Sequence, residues 1–90
     1  MRPSYQVHFT EQAAAKRDSL EGERRAAFDK AVDLLSRDPY SELTRAISAT
    51  GDDREVRLTQ HIMIEYTVST GRLLIFIIEI FDDQDIFFTG

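Results

Sequence analysis

The chain of 90 residues contains no cysteine, no tryptophan, two prolines and four glycines. Without cysteine, disulfides and thiolate metal sites are excluded. The few glycines and prolines form no linker, repeat or low-complexity segment, so one domain over residues 1–90 is expected. Long apolar runs are also missing. The longest, Leu73 to Phe81, is far short of the roughly 20 residues a membrane-spanning helix needs. The opening Met-Arg-Pro-Ser-Tyr lacks the apolar core of a signal peptide, so a cytoplasmic protein with no membrane partner is expected. Bases are scarce as well: 11 Lys and Arg stand against 16 Asp and Glu, a formal net charge of -5. Polyanion binding draws on Lys and Arg to neutralise phosphates, so this chain is a poor generic binder of nucleic acid.

What is present is hydrophobic patterning of two periods. Tyr5 to Phe9 alternates Tyr, Val and Phe with Gln and His, as a half-buried strand does. Thr10 then supplies a hydroxyl N-cap ahead of Glu11 and three alanines, predicting a first helix from Glu11 to about Glu21. After Gly22, the residues Ala27, Phe28, Ala31, Val32, Leu34 and Leu35 recur at helical spacing until Pro39. These two helices should form a hairpin with apolar stripes that need a sheet to pack on. Tyr40 to Asp53 reads as a loop, with Leu43 and Ile47 as anchors and Gly51-Asp52-Asp53 as a turn.

From Arg54 the period becomes two. Val56 and Leu58, then Ile62, Ile64, Tyr66 and Val68, face one way, and Glu55, Arg57, Met63, Glu65 and Thr67 face the other. Residues 59–61 turn the chain between two strands, and Ser69-Thr70-Gly71-Arg72 is a hairpin connection with Gly where a positive φ is wanted. The last strand, Leu73 to Phe81, is apolar on both faces except for Glu79, so both faces need cover, from the apolar tail Ile86-Phe87-Phe88 or from a partner. The fold class is α+β, ordered βααβββ, with a helical hairpin on one face of a small, mostly antiparallel sheet.

Such a hairpin covers one face only, which leaves His8, Glu55, Arg57, Met63, Glu65 and Glu79 as the working surface. Arg57, His61 and Glu65 are the candidate catalytic residues, since a guanidinium, an imidazole and a carboxylate suit phosphodiester chemistry without a metal. A cross-strand ion pair between Arg57 and Glu65 is the competing reading. Ile75, Ile77, Glu79 and Phe81 are the candidate partner-binding residues. The acids Asp82, Asp83 and Asp85 lack the spacing of a calcium loop, and no phosphate-binding Gly loop, nucleophile elbow or zinc-spaced His pair occurs. Neither metal nor cofactor is expected.

The order of elements, the segment Arg54-Glu-Val-Arg-Leu-Thr-Gln-His-Ile-Met-Ile-Glu-Tyr-Thr-Val and the final Gly71-Arg-Leu-Leu-Ile-Phe-Ile-Ile-Glu-Ile-Phe resemble the RelE/ParE superfamily of toxins from bacterial toxin-antitoxin modules. The resemblance implies a cytoplasmic toxin held by a cognate antitoxin. Its target would be ribosome-bound mRNA, which RelE-like members cleave, or DNA gyrase, which ParE-like members inhibit. A divergent interaction module or homodimer is the alternative. By position, Arg57, His61 and Tyr66 match the family's Arg, His and Tyr. Where the family commonly ends its last strand in basic residues, this chain has Phe81, Asp82, Asp83 and Gln84.

Overall fold

A computed structural model describes residues 4–83; the expected tail cover, Ile86-Phe87-Phe88, lies outside them. Strand β1 (Gln6–Phe9) leads into helices α1 (Glu11–Asp18) and α2 (Gly22–Arg37), followed by strands β2 (Arg45–Ala46), β3 (Asp53–Arg57), β4 (Ile62–Ser69) and β5 (Leu74–Asp82). The five strands lie in the order β1-β5-β4-β3-β2. Among the described residues β1 and β5 pair in parallel, and the other pairings are antiparallel. The α+β class with a helical hairpin on a mostly antiparallel sheet is therefore what the chain adopts.

Helix α1 starts where the sequence indicates. The Thr10 hydroxyl accepts from the Ala13 amide at 3.2 Å, satisfying one of the unpaired donors of the first turn. It stops three residues earlier than expected, because the Ser19 amide turns back to the Ala15 and Lys16 carbonyls. Gly22 takes φ of 57° at the head of α2, a left-handed conformation that glycine adopts without steric penalty.

The two helices cover one face of the sheet. Ala13, Leu20, Phe28 and Leu35 pack there against Val56, Ile62, Ile64, Tyr66, Val68, Ile75, Ile77 and Ile80. Tyr66 is wholly buried, and its hydroxyl donates to the Pro39 carbonyl at 2.6 Å, tying the chain beyond α2 to the centre of the sheet.

The loop before β3 departs from expectation in two ways. It contributes the two-residue edge strand β2, and its apolar residues are not anchors: Leu43 is 87% exposed and Ile47 is also exposed. The loop is held by polar contacts instead. Arg54 donates to the Thr44 hydroxyl at 2.9 Å and the Gly51 carbonyl at 2.8 Å, and its guanidinium lies over the Tyr40 ring. The β4–β5 connection is a single 3-10 turn, Thr70–Arg72, and the positive φ falls on Leu73 (51°) instead of Gly71.

Strand β5 contains the decisive irregularity. Tyr66 pairs with Ile77 but Glu65 pairs with Glu79, so Ile78 is an extra residue, a β-bulge. An extra residue reverses which side the remainder of the strand presents. Ile75 and Ile77 point to the helices before the bulge, Ile80 and Asp82 after it. Thr10 holds the bulge, its amide donating to the Ile77 carbonyl at 3.0 Å and its hydroxyl to the Ile78 carbonyl at 2.8 Å.

Thr10→Ala removes both a helix cap and a tie to the bulge, and should cost about 2 kcal/mol in denaturant unfolding, with Thr10→Ser retaining most of it. Burial raises the Tyr66 hydroxyl above its ordinary pKa of 10.0, partly offset by the Thr44 hydroxyl and the Arg54 guanidinium. The folded state then keeps the Tyr66 proton at pH values where the unfolded chain releases it. Stability should therefore be unaffected by Tyr66 below about pH 10 and fall above it. Unfolding midpoints across alkaline pH, with Tyr66→Phe flattening the decline, check this.

Candidate functional site

The open face of the sheet is arranged in rows set by strand register. Arg57 pairs with Met63 and Met63 with Phe81, forming one row across β3, β4 and β5. The next row is Glu55, Glu65 and Glu79. Beyond it come Asp53, Thr67, Phe76 and, on β1, His8.

At the Arg57 end, a cleft of about 350 Å³ is lined by Lys16, Arg57, His61, Met63, Ile80, Phe81, Asp82 and Asp83. Its geometry follows from the pairing of Ile62 with Asp82, which sets His61 opposite Asp83 one position further out. The Asp83 amide donates to the His61 carbonyl at 3.0 Å, and the His61 Nδ1 lies 2.9 Å from the Asp83 carboxylate. The Thr59 hydroxyl accepts from the amides of His61 and Ile62 at 3.2 and 3.1 Å, fixing the turn that carries the histidine. The imidazole is half-buried and oriented by a carboxylate, the arrangement that fixes a histidine tautomer and leaves the second ring nitrogen for proton transfer. Arg57 donates to the Gln60 carbonyl at 2.9 Å, holding its guanidinium beside the same turn.

Of the expected catalytic residues, Arg57 and His61 thus line one cleft. Glu65 does not; it sits in the acidic row between Glu55 and Glu79 and pairs with neither Arg57 nor His61. The expected cross-strand ion pair of Arg57 and Glu65 is likewise absent, because Arg57 faces Met63. Sequence reading missed Lys16 and Asp83. Counting back from the β4–β5 turn without a bulge sets His61 opposite residue 82, and only the bulge moves it to Asp83. Tyr66 spends its hydroxyl on Pro39, inside the core. Among the described residues, no group of three or more His, Asp or Glu is placed to hold a metal ion.

The expected partner-binding set needs correction, for the same reason. Ile75, Ile77, Glu79 and Phe81 share a face in a regular strand, but the bulge separates them. Ile75 and Ile77 are wholly buried under the helices, whereas Glu79 and Phe81 face the open side. The exposed apolar residues of β5 on that side are Phe76, Ile78 and Phe81, exposed by 38%, 39% and 41%.

Asp82 is nearly inaccessible and pairs with Arg24 of α2, so a carboxylate stands inside the helix–sheet layer behind the cleft. Arg25, next along α2, pairs with exposed Asp29 one helical turn away at 3.1 Å.

The same arrangement of strands and helices occurs in solved toxin structures. The isolated E. coli RelE toxin superposes with a TM-score of 0.75 at 19% identity, covering 88% of this chain and 84% of that one. RelE in the archaeal RelE-RelB complex from Pyrococcus horikoshii OT3 gives 0.76 at 21%, covering 89% and 96%. The YoeB/ParE toxin from Agrobacterium tumefaciens gives 0.68 at 13%, covering 86% and 96%. The chain therefore has the RelE toxin fold over nearly all its described length. Its sequence matches no family model and no curated protein. Among the described residues no helix is long and apolar enough to cross a membrane.

Arg24→Met takes a guanidinium from a buried carboxylate, whereas Arg25→Met takes one from the exposed carboxylates Asp18 and Asp29. Arg24→Met should cost on the order of 2 kcal/mol and Arg25→Met less than about 0.5 kcal/mol, read as the difference in urea midpoints at equal slope.

Proposed function

We propose that the protein is the toxin component of a toxin-antitoxin module, held inactive by a cognate antitoxin. The observation that carries this reading is the RelE fold, matched over 84% to 96% of the length of toxins solved alone and in complex with RelB. The open sheet face supports it further, since Phe76, Ile78 and Phe81 form the kind of apolar surface that a protein partner covers.

The cleft supports RNA cleavage as the toxic activity. In phosphodiester cleavage a base removes the proton from the attacking hydroxyl, cations neutralise the charge growing on the phosphate, and an acid protonates the leaving oxygen. His61, oriented by Asp83, is the proton-transfer group, taking the proton of the attacking hydroxyl and, as imidazolium, returning it to the leaving oxygen, and Arg57 and Lys16 meet the phosphate. Glu65, two residues along β4 from Met63, takes no part in the step. The acidic row next to the cleft repels a polyanion, which confines RNA to the Arg57 end of the face.

Inducible expression should arrest growth and translation, and co-expression of the adjacent small gene should restore both. Arg57→Ala and His61→Ala should each relieve the arrest while remaining folded by circular dichroism, whereas Glu65→Gln should remain toxic. Equal harmlessness of wild type and variants would remove the catalytic reading, and a neighbour that never co-purifies would remove the antitoxin.

A further inference from the structure

We propose that the open sheet face receives a cationic amphipathic segment of a protein partner, with apolar side chains over Phe76, Ile78, Met63 and Phe81 and Lys or Arg side chains along the glutamate row. The proposal rests on the reading that a protein partner holds this chain, and adds the chemistry of the segment that docks.

The charge argument comes from register. Glu55, Glu65 and Glu79 stand side by side on three neighbouring strands, where facing side chains are about 5 Å apart and like charges repel. The two outer members have neighbours that relieve this. Arg45 pairs with Glu55, and the Gln12 amide donates to Glu79 at 3.0 Å. The central Glu65 makes no hydrogen bond or ion pair among the described residues and is half-buried. A cation set down on this row meets two or three carboxylates at once.

The apolar argument comes from the bulge. By adding Ile78 to the strand, it leaves Phe76, Ile78 and Phe81 on the same face as the carboxylates. A bare cation satisfies only the acids and an apolar peptide only the rings. A segment bearing both satisfies the face.

Three other occupants fit less well. A second copy of the chain related by a twofold axis would bring one glutamate row against its equivalent. Residues 84–90, Gln-Asp-Ile-Phe-Phe-Thr-Gly, offer apolar side chains but no cation and one further acid. A nucleic acid is repelled by the row.

The test uses three fluorescein-labelled peptides of equal length, one alternating Leu and Lys, one alternating Leu and Glu, and one of Lys and Ser, read by anisotropy against the full chain. The Leu–Lys peptide should bind at least about tenfold more tightly than either other, and weaken between about 50 and 200 mM salt. Glu65→Gln with Glu79→Gln, and separately Phe76→Ser with Ile78→Ser, should each lower its affinity about tenfold. Asp29→Asn with Asp33→Asn, which removes two exposed acids one turn apart on α2, should leave it unchanged. Equal loss in that control, or equal binding of the Leu–Lys and Leu–Glu peptides, overturns the proposal. So does a mass of two chains that Phe76→Ser reduces to one, or tighter binding once residues 84–90 are removed. In cells, an antitoxin that co-purifies undiminished with Glu65→Lys, Glu79→Lys would leave the toxin reading standing and remove this one.

Discussion

The one residue that β5 carries beyond a regular strand governs both faces of the molecule. A strand at the centre of a sheet, covered by helices on one side only, should alternate apolar and polar side chains. With the bulge at Ile78, β5 gives Ile75, Ile77 and Ile80 to the core and still shows Phe76, Ile78 and Phe81 on the opposite side. Were the strand regular, Glu79 and Phe81 would follow Ile77 beneath the helices, and a carboxylate would enter the apolar layer. The bulge instead brings Asp82 to that side, at the rim, where Arg24 meets it. Thr10 fastens the bulge to the start of α1, so the helix hairpin and the irregular strand are set by the same side chain.

Much of this architecture is legible in the sequence because its signals are local. The Thr10 cap, the helical spacing from Phe28 to Leu35, the period-two run from Ile62 to Val68 and the turn at residues 59–61 depend on neighbours within a few positions. What depends on distant pairing is not legible. The bulge is invisible in an apolar run where either register buries isoleucines, and it reassigns Glu79 and Phe81 relative to Ile75 and Ile77. Leu43 looks like an anchor by composition, but Arg54, reaching Thr44 and Gly51, holds the loop by polar contacts instead.

The candidate site divides in the same way. Arg57 and His61 are recognisable as residue types on one side of a hairpin, and they do share a cleft. The partner of His61 comes from the far end of β5, in a stretch that reads as a solvated acidic turn. Lys16 arrives from a helix face rich in charge, where a lysine carries no positional signal. The open face therefore has two chemical characters: an end of mixed charge, where Lys16 and Arg57 stand around the His61–Asp83 pair, and an acidic middle built from one row of the sheet.

The parallel pairing of β1 with β5 joins residues 6–9 to residues 74–77. No shorter-range contact can stand in for it, since β5 separates β1 from β4 in the sheet. During synthesis, β1 and both helices leave the ribosome before β3, β4 and β5, and the core cannot close until β5 has emerged. Pairings of such long sequence separation are slow to form. The newborn chain thus spends an interval with its most apolar surfaces bare, when an early-binding partner or a chaperone meets a different molecule from the finished fold.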